Sequence, residues 1–545
     1  MAMINDSVRD FDAIHANFRW SIPQQYNIGR DVCDRHPADA LALVCEDHRG
    51  AVTRHTFGQL RELSNRLGNA LRGLGVERGD RVAIILAQRA ETAIAHIATY
   101  KIGAVAVPLS LLFGPEALEY RLGNSRTRVV ITDTTRGAMV EAMRDRLPTL
   151  ERVITCGAPG EGPLWELLAA ASDSAPAVAT TADDPAMLIY TSGTTGPPKG
   201  SLNAQRCLLG NLPGFELSQN FYAQTGGLFW TPADWAWTGG LLDALLPTLH
   251  YGRPVLGYDG QGRFDPERMV ELIARHGVRN AFIPPTAMKM LMQVPAIETR
   301  GLQLQAVMSA GESVGERVVE WAEQALGVTV NEMWGQTEFN YLVGNCSAIM
   351  PVKPGSMGKP FAGHWVDVID EQGRPLPDGE CGELAARTGD PVQFLGYWEN
   401  EAATRGKLRG DWFLTGDVGY RDAEGYLWFV GRQDDVISSA GYRIGPGEIE
   451  DCLIRHPAVV QAAVIGVPDE LRGQIIKAFV VAAAGVVPDA ELTADIQRQV
   501  KQQLAAYEYP REIEYVDALP LTTTGKVQRK VLRERELAAR GESGK

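Results

Sequence analysis

Residues 81–133 alternate between short apolar runs and helical patterns, and that alternation leaves few architectures open. RVAIILA (81–87) reads as a buried strand, AETAIAHIATYKIG (90–103) as a helix and AVAVPL (104–109) as a strand. GPEALEYRLGNS (114–125) reads as another helix and RVVITD (128–133) as another strand. Strands separated by helical crossovers pair in parallel, so an α/β sheet is expected. Upstream, Leu60, Leu63, Leu67, Leu71 and Leu74 recur at helical spacing in QLRELSNRLGNALRGLG (59–75), with Gly75 as the stop. The alternation resumes over 264–331: a helix near 266–276, strands NAFIP and QAVMSAG, the helix ERVVEWAEQALG and the strand VTVNEM.

From about 350 the texture shifts to short strands and turns, as in DEQGRPLPDGE and DAEGYLWFVG. After GRQDDV (431–436) a compact α+β piece begins. It contains the helix GPGEIEDCLIRH, strands VVQAAVIGVP and IIKAFVVAA, a helix near 490–504 and a basic tail. The expected organisation is a large N-terminal domain of α/β subdomains plus a small β-rich subdomain, over residues 1–432. A small mobile α+β C-terminal domain follows over 433–545. A chain of 545 residues exceeds one ordinary core, which agrees with several folding units.

With 45% hydrophobic and 22% charged residues the chain is globular rather than disordered. The net charge of −14 argues against a nucleic-acid binder but leaves room for a local basic site that holds an anion. The stretch MAMINDSVRDFDAIHANFRWSIP lacks the apolar core of a signal peptide, and the apolar stretches near 239–249 and 478–487 are interrupted or too short to span a bilayer. Seven cysteines without a CxxC pair, and nine histidines without HExxH, suggest neither a disulfide framework nor a zinc site. The expectation is a cytoplasmic protein with no transmembrane segment and no nucleic-acid partner. Nothing in the sequence selects between a monomer and a homodimer.

AMLIYTSGTTGPPKG (186–200) points to the chemistry. An apolar run stops at Tyr190 and opens into hydroxyls, glycines, prolines and Lys199. Such a loop offers many N–H and O–H donors to one anion, glycines let the backbone come close, and the lysine adds full charge. It suits a polyphosphate, but it is not a Walker A loop, and its prolines forbid a helix starting there. Four stretches accompany it. MWGQTE (333–338) is read as following a strand; TGDVGY (415–420) is read as a tight turn that presents Asp417 to two ribose hydroxyls. GRQDDVISSAGYRIGPGEIE (431–450) carries two arginines among small residues, and LPLTTTGKVQR (519–529) carries a lone lysine, Lys526.

In this order and spacing the five motifs resemble the adenylate-forming superfamily of acyl- and aryl-CoA synthetases, luciferases and peptide-synthetase adenylation domains. The stretches SSAGYRIGPGEIEDCLIRHPAVVQAAVIGVPDELRGQIIKAFVV and YEYPREIEYVDALPLTTTGKVQRKVLR look most like medium-chain acyl-CoA synthetases, with acetyl-CoA synthetases more distant. The resemblance implies ATP, Mg²⁺ and coenzyme A as cofactors and a small carboxylic acid as substrate. It implies that Thr191, Ser192, Gly193, Thr194, Thr195, Gly196 and Lys199 cover the β- and γ-phosphates. Gly311, Glu312 and Ser313 line the adenine pocket, Trp334 stacks on the purine, and Glu332, Met333, Gly335 and Gln336 complete the nucleotide site. Thr337 contacts the α-phosphate and Glu338 holds Mg²⁺. Asp417 and Arg432 bind ribose, Lys526 reaches the carboxylate and α-phosphate, and Asp434 is the hinge. Ala440, Gly441, Tyr442, Arg472, Tyr509 and Arg511 are implied for CoA, and Arg443 for nucleotide or CoA.

The acyl pocket is implied at Trp237, Thr238, Gly239, Ala310 and Gly335. Acetate-specific relatives carry valine at the Ala310 position and tryptophan at the Gly335 position, so small residues here imply a medium-chain, branched or aromatic acid. Trp235 or Phe339 filling that space is the alternative. Three rival functions stand beside this one. GESVG (311–315) matches a hydrolase nucleophile elbow, with Asp367 and His456 following Ser313 in the required order. The second is an adenylating enzyme that loads its acyl group onto a carrier-protein phosphopantetheine, or oxidises it, instead of using free CoA. The third is a non-enzymatic nucleotide-binding scaffold.

Overall fold

The apolar runs over 81–156 do pair in parallel. Arg81–Ile85 lies between Val105–Pro108 and Val129–Asp133 and is parallel to both, and Arg152–Cys156 extends the row. Pro185–Thr191 adds to the other side in parallel; Lys199–Ala204 and Gly396–Tyr397 follow antiparallel and complete a 7-stranded sheet. Such strands read as continuous apolar runs because helices cover both faces. All residues of the helix Ala90–Lys101 are buried. The helix Phe57–Gly73 starts on a Thr56/Gln59 capping box and buries Leu60, Leu67 and Leu71.

The computed structural model describes residues 2–176, 178–191, 197–261, 264–439, 442–469, 472–504, 508–522 and 526–540. Two compact units emerge: Met1–Trp365 with Arg387–Leu408, and Val366–Ala386 with Arg409–Lys545. The β-rich texture after 350 is therefore divided, because residues 387–408 return to the first unit.

The first unit holds a second sheet in the order Ser356–Pro360, Phe339–Gly344, Val330–Gln336, Ala306–Ala310, Asn280–Phe282, Phe229–Trp230, Val255–Asp259, Leu41–Asp47, Val52–Thr56. From Val330–Gln336 to Leu41–Asp47 every pairing is parallel. The C-terminal ends of these strands therefore gather along one edge, where sheets of this kind bind ligands. The helix Pro266–His276 has the signals its sequence promised: an Asp265 cap, a proline in the first turn and Gly277 at φ +64°.

One helical stretch differs from expectation. ERVVEWAEQALG is α-helical over Glu316–Trp321 and then widens into a π-turn over Ala322–Leu326. A second π-turn, Leu241–Leu245, separates Thr238–Gly240 from the helix Leu246–His250, and the Leu246 N–H donates to the Leu241 carbonyl. Pro247 lacks the N–H that would close the α-turn onto residue 243, so the turn loosens there.

In the second unit Val366–Ile369, Gly382–Arg387, Trp412–Arg421 and Leu427–Arg432 are neighbours in one sheet. Gly473–Ala482 is central to a 5-stranded sheet, pairing with Val459–Asp469, Ile437–Ser439 and Glu512–Tyr515. Helices Pro446–Ile454, Ala490–Gln503 and Arg529–Ala539 accompany it. No helix among the described residues is long and apolar enough to cross a membrane.

Candidate active site

Val330–Gln336 and Phe339–Gly344 form a hairpin in which Gln336 pairs directly with Phe339, so Thr337 and Glu338 are its two loop residues. This corrects the sequence reading of MWGQTE as lying beyond a strand: the strand runs through Trp334 and Gly335 to Gln336. The register shifts between Trp334 and Gln336. A Cβ on Gly335 would lie 2.8 Å from the Tyr341 nitrogen and 3.1 Å from the Phe339 oxygen, so only glycine lets the strands close here. Two-residue hairpin loops usually need positive φ. Here neither loop residue has it; the irregularity at Gly335 and a φ of +53° at Tyr341 supply the twist instead.

The chain returning at 394–398 fixes this turn. The Tyr397 hydroxyl donates to Glu338 Oε1 at 2.5 Å, and the Phe394 N–H donates to the Glu338 carbonyl at 2.9 Å. The same segment bonds the next strand over, Leu395 N–H to the Leu202 carbonyl and Trp398 N–H to the Gly200 carbonyl, each at 2.7 Å. The Lys199 ammonium lies 5.3 Å from the Tyr397 ring centroid, within cation–π range. Tyr397 thus stands between the loop lysine and the turn carboxylate. Sequence reasoning missed it because its partner is 59 residues away; the cue was an aromatic pair after a glycine in FLGYW.

The two ends of the glycine-rich loop are pinned. Thr191 and Lys199 are direct cross-strand partners, and the Tyr120 hydroxyl donates to the Pro198 carbonyl at 3.0 Å. Ser192, Gly193, Thr194, Thr195 and Gly196 lie outside the described residues.

At the strand ends, Gly311 takes φ +100°, which favours glycine, and the Thr286 hydroxyl donates to Glu312 Oε1 at 3.1 Å. Ser313 and Trp334 are half-buried, while Glu332 and Met333 are buried in their strand. Ala310 ends its strand opposite Met333. Gly239 packs on Phe282, where a Cβ would meet the ring at 2.4 Å, and Trp237 meets Phe113 edge-on at 5.7 Å. Thr238 opens the helical stretch between them. Trp235 is fully buried in the main core, and the side chain of Phe339 is likewise buried.

In the second unit Asp417 is not in a turn. It lies inside the strand Trp412–Arg421, directly opposite Arg432, with Arg432 Nη1 and Asp417 Oδ1 2.8 Å apart. The Gly-Asp pair suggested a turn, but Gly416 at φ +76° and a register shift at Val418/Gly419 absorb the irregularity while pairing continues. The Asp417 side chain is 4% exposed and that of Arg432 37%. Asp434 is exposed between two anchored neighbours: the Gln433 N–H donates to the Gly416 carbonyl, and Asp435 pairs with Arg533 at 2.5 Å.

Lys526 is exposed and closes a small loop, its N–H donating to Thr522 Oγ1 at 3.1 Å and its carbonyl accepting from the Thr522 N–H at 2.7 Å. The Arg511 guanidinium lies 5.3 Å from the Tyr509 ring centroid, and the Arg472 N–H donates to Asp469 Oδ1. Ala440 and Gly441 lie outside the described residues, as do the side chains of Tyr442 and Arg443, whose backbones form the strand Tyr442–Ile444.

The hydrolase alternative loses its partners. His456 Nε2 faces Asp495 Oδ2 at 3.3 Å while its Nδ1 accepts from the Ala458 N–H, and Asp367 Oδ1 takes the Arg421 guanidinium at 2.6 Å. Neither is aligned as a triad member.

Residues 30–398 match the AMP-binding enzyme family, and residues 448–526 match the AMP-binding enzyme C-terminal domain. The chain belongs to the AMP-binding enzyme family. It is an AMP-forming acyl-CoA synthetase, an acid–thiol ligase that uses ATP and CoA. An acetyl-coenzyme A synthetase of Bacillus subtilis (strain 168) is 36% identical over 97% of this chain and 96% of its own length. The mitochondrial acyl-coenzyme A synthetase ACSM4 of Homo sapiens is 33% identical over 98% and 94%. The crystal structure of the anthranilate CoA ligase AuaEII in complex with anthranoyl-AMP superimposes with a TM-score of 0.86 at 30% identity, covering 95% of this chain and 99% of that one. The identities of 36% and 33% do not place acetyl-CoA synthetases further away than the other relative.

For this AMP-binding enzyme, Tyr397→Phe removes the donor that orients Glu338. On the expectation that Glu338 acts in adenylation, ATP–pyrophosphate exchange should fall by about 10- to 100-fold, the usual scale for a residue that orients a metal ligand. Exchange at the unmodified rate would show that the carboxylate is oriented by other means.

Proposed function

We propose that the enzyme activates a medium-chain, branched or aromatic acid larger than acetate, with the hairpin turn as its adenylation centre. The observation that carries this is the small Ala310 at the end of its strand, along the edge where parallel strands terminate; the space beside Gly239 is taken by the Phe282 ring. A carboxylate oxygen attacks the α-phosphorus, the bond to the β-phosphate oxygen breaks, and pyrophosphate leaves. The CoA sulfur then attacks the acyl carbon, the thiol proton is lost, and AMP departs with the oxygen that bridged acyl and phosphate.

Negative charge grows on phosphate oxygens in the first step, so fixed donors and cations dominate its catalysis. In this reading Lys199 and the loop from Thr191 hold the outer phosphates and Thr337 meets the α-phosphate. Asp417 and Arg432 take the ribose, and Gly311, Glu312, Ser313 and Trp334 take the base. Glu338 suits Mg²⁺: Oε1 takes the Tyr397 hydroxyl, while Oε2 has no partner among the described residues. Mg²⁺ characteristically binds through one or two carboxylates and substrate phosphates, and bound there it would neutralise phosphate charge. Residues Tyr442, Arg472, Tyr509 and Arg511 are assigned to CoA in this reading, with Arg443 to nucleotide or CoA.

The reading also makes 433–545 a mobile domain that presents Lys526 during adenylation and withdraws it for thioester formation, pivoting at Asp434. Lys526→Ala should then abolish adenylation and largely spare thioester formation from supplied acyl-adenylate; equal loss in both half-reactions would refute the role. Asp434→Pro locks φ near −65°, so pyrophosphate exchange and thioester formation should respond very differently. A variant with both steps unchanged would remove Asp434 from the hinge.

Gly335→Trp is not a clean test of acid length, because its Cβ meets the backbone of the facing strand. Ala310→Val is the milder probe. Each buried CH₂ contributes about 0.8 kcal/mol, so pyrophosphate release should rise with chain length in the unmodified enzyme and tilt towards short acids in the variant. Acetate ranking first in the unmodified enzyme would sink the proposal.

A further inference from the structure

Asp243 lies within the π-turn Leu241–Leu245 and is 3% exposed. A π-turn closes residue i onto i+5, and neighbouring turns bring i and i+4 to one side, so Asp243 shares a helix face with Thr238 and Gly239. That face packs towards Asn280–Phe282, one of the parallel strands whose C-terminal ends form the proposed acid wall. Opposite, Asn340 belongs to the hairpin that carries Thr337 and Glu338, and its amide Nδ2–H donates to Asp243 Oδ1. Among the described residues Oδ2 has no hydrogen-bond partner, and no lysine, arginine or histidine pairs with the carboxyl. The ionisable neighbour is Tyr341, fully buried, whose phenol is itself pushed well up by burial and then by Asp243.

Burial pushes the Asp243 carboxyl up to about 8, which favours its neutral form near pH 7. With Oδ1 already accepting from Asn340, a proton on Oδ2 makes that atom an O–H donor beside the proposed acid site. A buried donor left without an acceptor is unfavourable, and a hydrocarbon chain laid against it offers none.

We propose that Asp243, backed by Asn340, is a specificity-determining residue that selects acids bearing a hydroxyl, keto or ether oxygen along the chain over plain hydrocarbon acids of equal length. This rests on the acid-binding wall proposed for the synthetase and narrows its substrate class. A site built to hydrogen-bond its substrate rejects the analogue that lacks the partner far more strongly than an apolar pocket rejects a missing methylene.

The test is pyrophosphate release, with kcat/KM compared inside matched pairs: hexanoate against oxohexanoate and hydroxyhexanoate, benzoate against hydroxybenzoate. In the unmodified enzyme the oxygenated member should lead by about tenfold or more, the scale of one buried hydrogen bond. Asp243→Leu should erase or reverse that lead. Asp243→Asn, which keeps an N–H donor in the same place, should retain much of it. Each ratio is internal to one protein, so a general loss of activity does not enter. An unchanged ratio in Asp243→Leu, or plain acids leading throughout in the unmodified enzyme, overturns the proposal; the second result holds even if the leucine variant does not fold. Pyrophosphate released by pairs with no preference would leave the synthetase reading standing and remove this one. Release from no acid at all would remove both.

Discussion

A phenol donating to a carboxylate at 2.5 Å fixes where the turn of the 330–344 hairpin can sit. Hydrogen bonds to charged groups are about twice as strong as neutral ones, and this one is shielded, with Glu338 only 9% exposed. The neighbouring backbone bonds at Leu395 and Trp398 tie the same segment to the strand that begins at Lys199. The base of the glycine-rich loop, its lysine and the turn carboxylate are therefore one framework. In the proposed adenylation centre, donors held this way need little reorganisation as charge develops.

The parts of the fold that were legible in sequence are those set by local periodicity. The alternation over 81–133 specified a parallel sheet because buried strands and crossover helices each leave their own apolar pattern. The helix at 266–276 carried its cap, first-turn proline and terminal glycine in the letters. What was misread depends on partners distant in sequence. Trp334 and Gly335 look like loop residues, yet they stay in the strand because Gly335 fits against the backbone of residues 339–341. Asp417 looks like a turn residue, yet its strand continues because Arg432 lies directly across. Tyr397 was missed because the local cue, the aromatic pair in FLGYW, does not announce that residues 387–408 return to the first unit.

The same limit applies to the acid. In the proposed acid site a small Ala310 argues for room, and a sequence motif can report that much. The polarity of the proposed wall is another matter: Asp243 first reads as a mere interruption of an apolar run. Its meaning comes from Asn340, almost a hundred positions on, and from the π-turn that Pro247 imposes. Chain length alone is a weak discriminator, since one methylene changes affinity modestly, whereas a buried polar pair discriminates strongly.

The central claim is that the acid is activated as an acyl-adenylate on this framework. Supplying an acid labelled with ¹⁸O in its carboxylate, together with ATP and CoA, tests it by mass spectrometry of the nucleotide product. The account predicts one labelled oxygen in AMP, because the carboxylate oxygen that attacks the α-phosphorus leaves with AMP when sulfur displaces it. AMP free of label, with the heavy oxygen in inorganic phosphate or pyrophosphate instead, would contradict it.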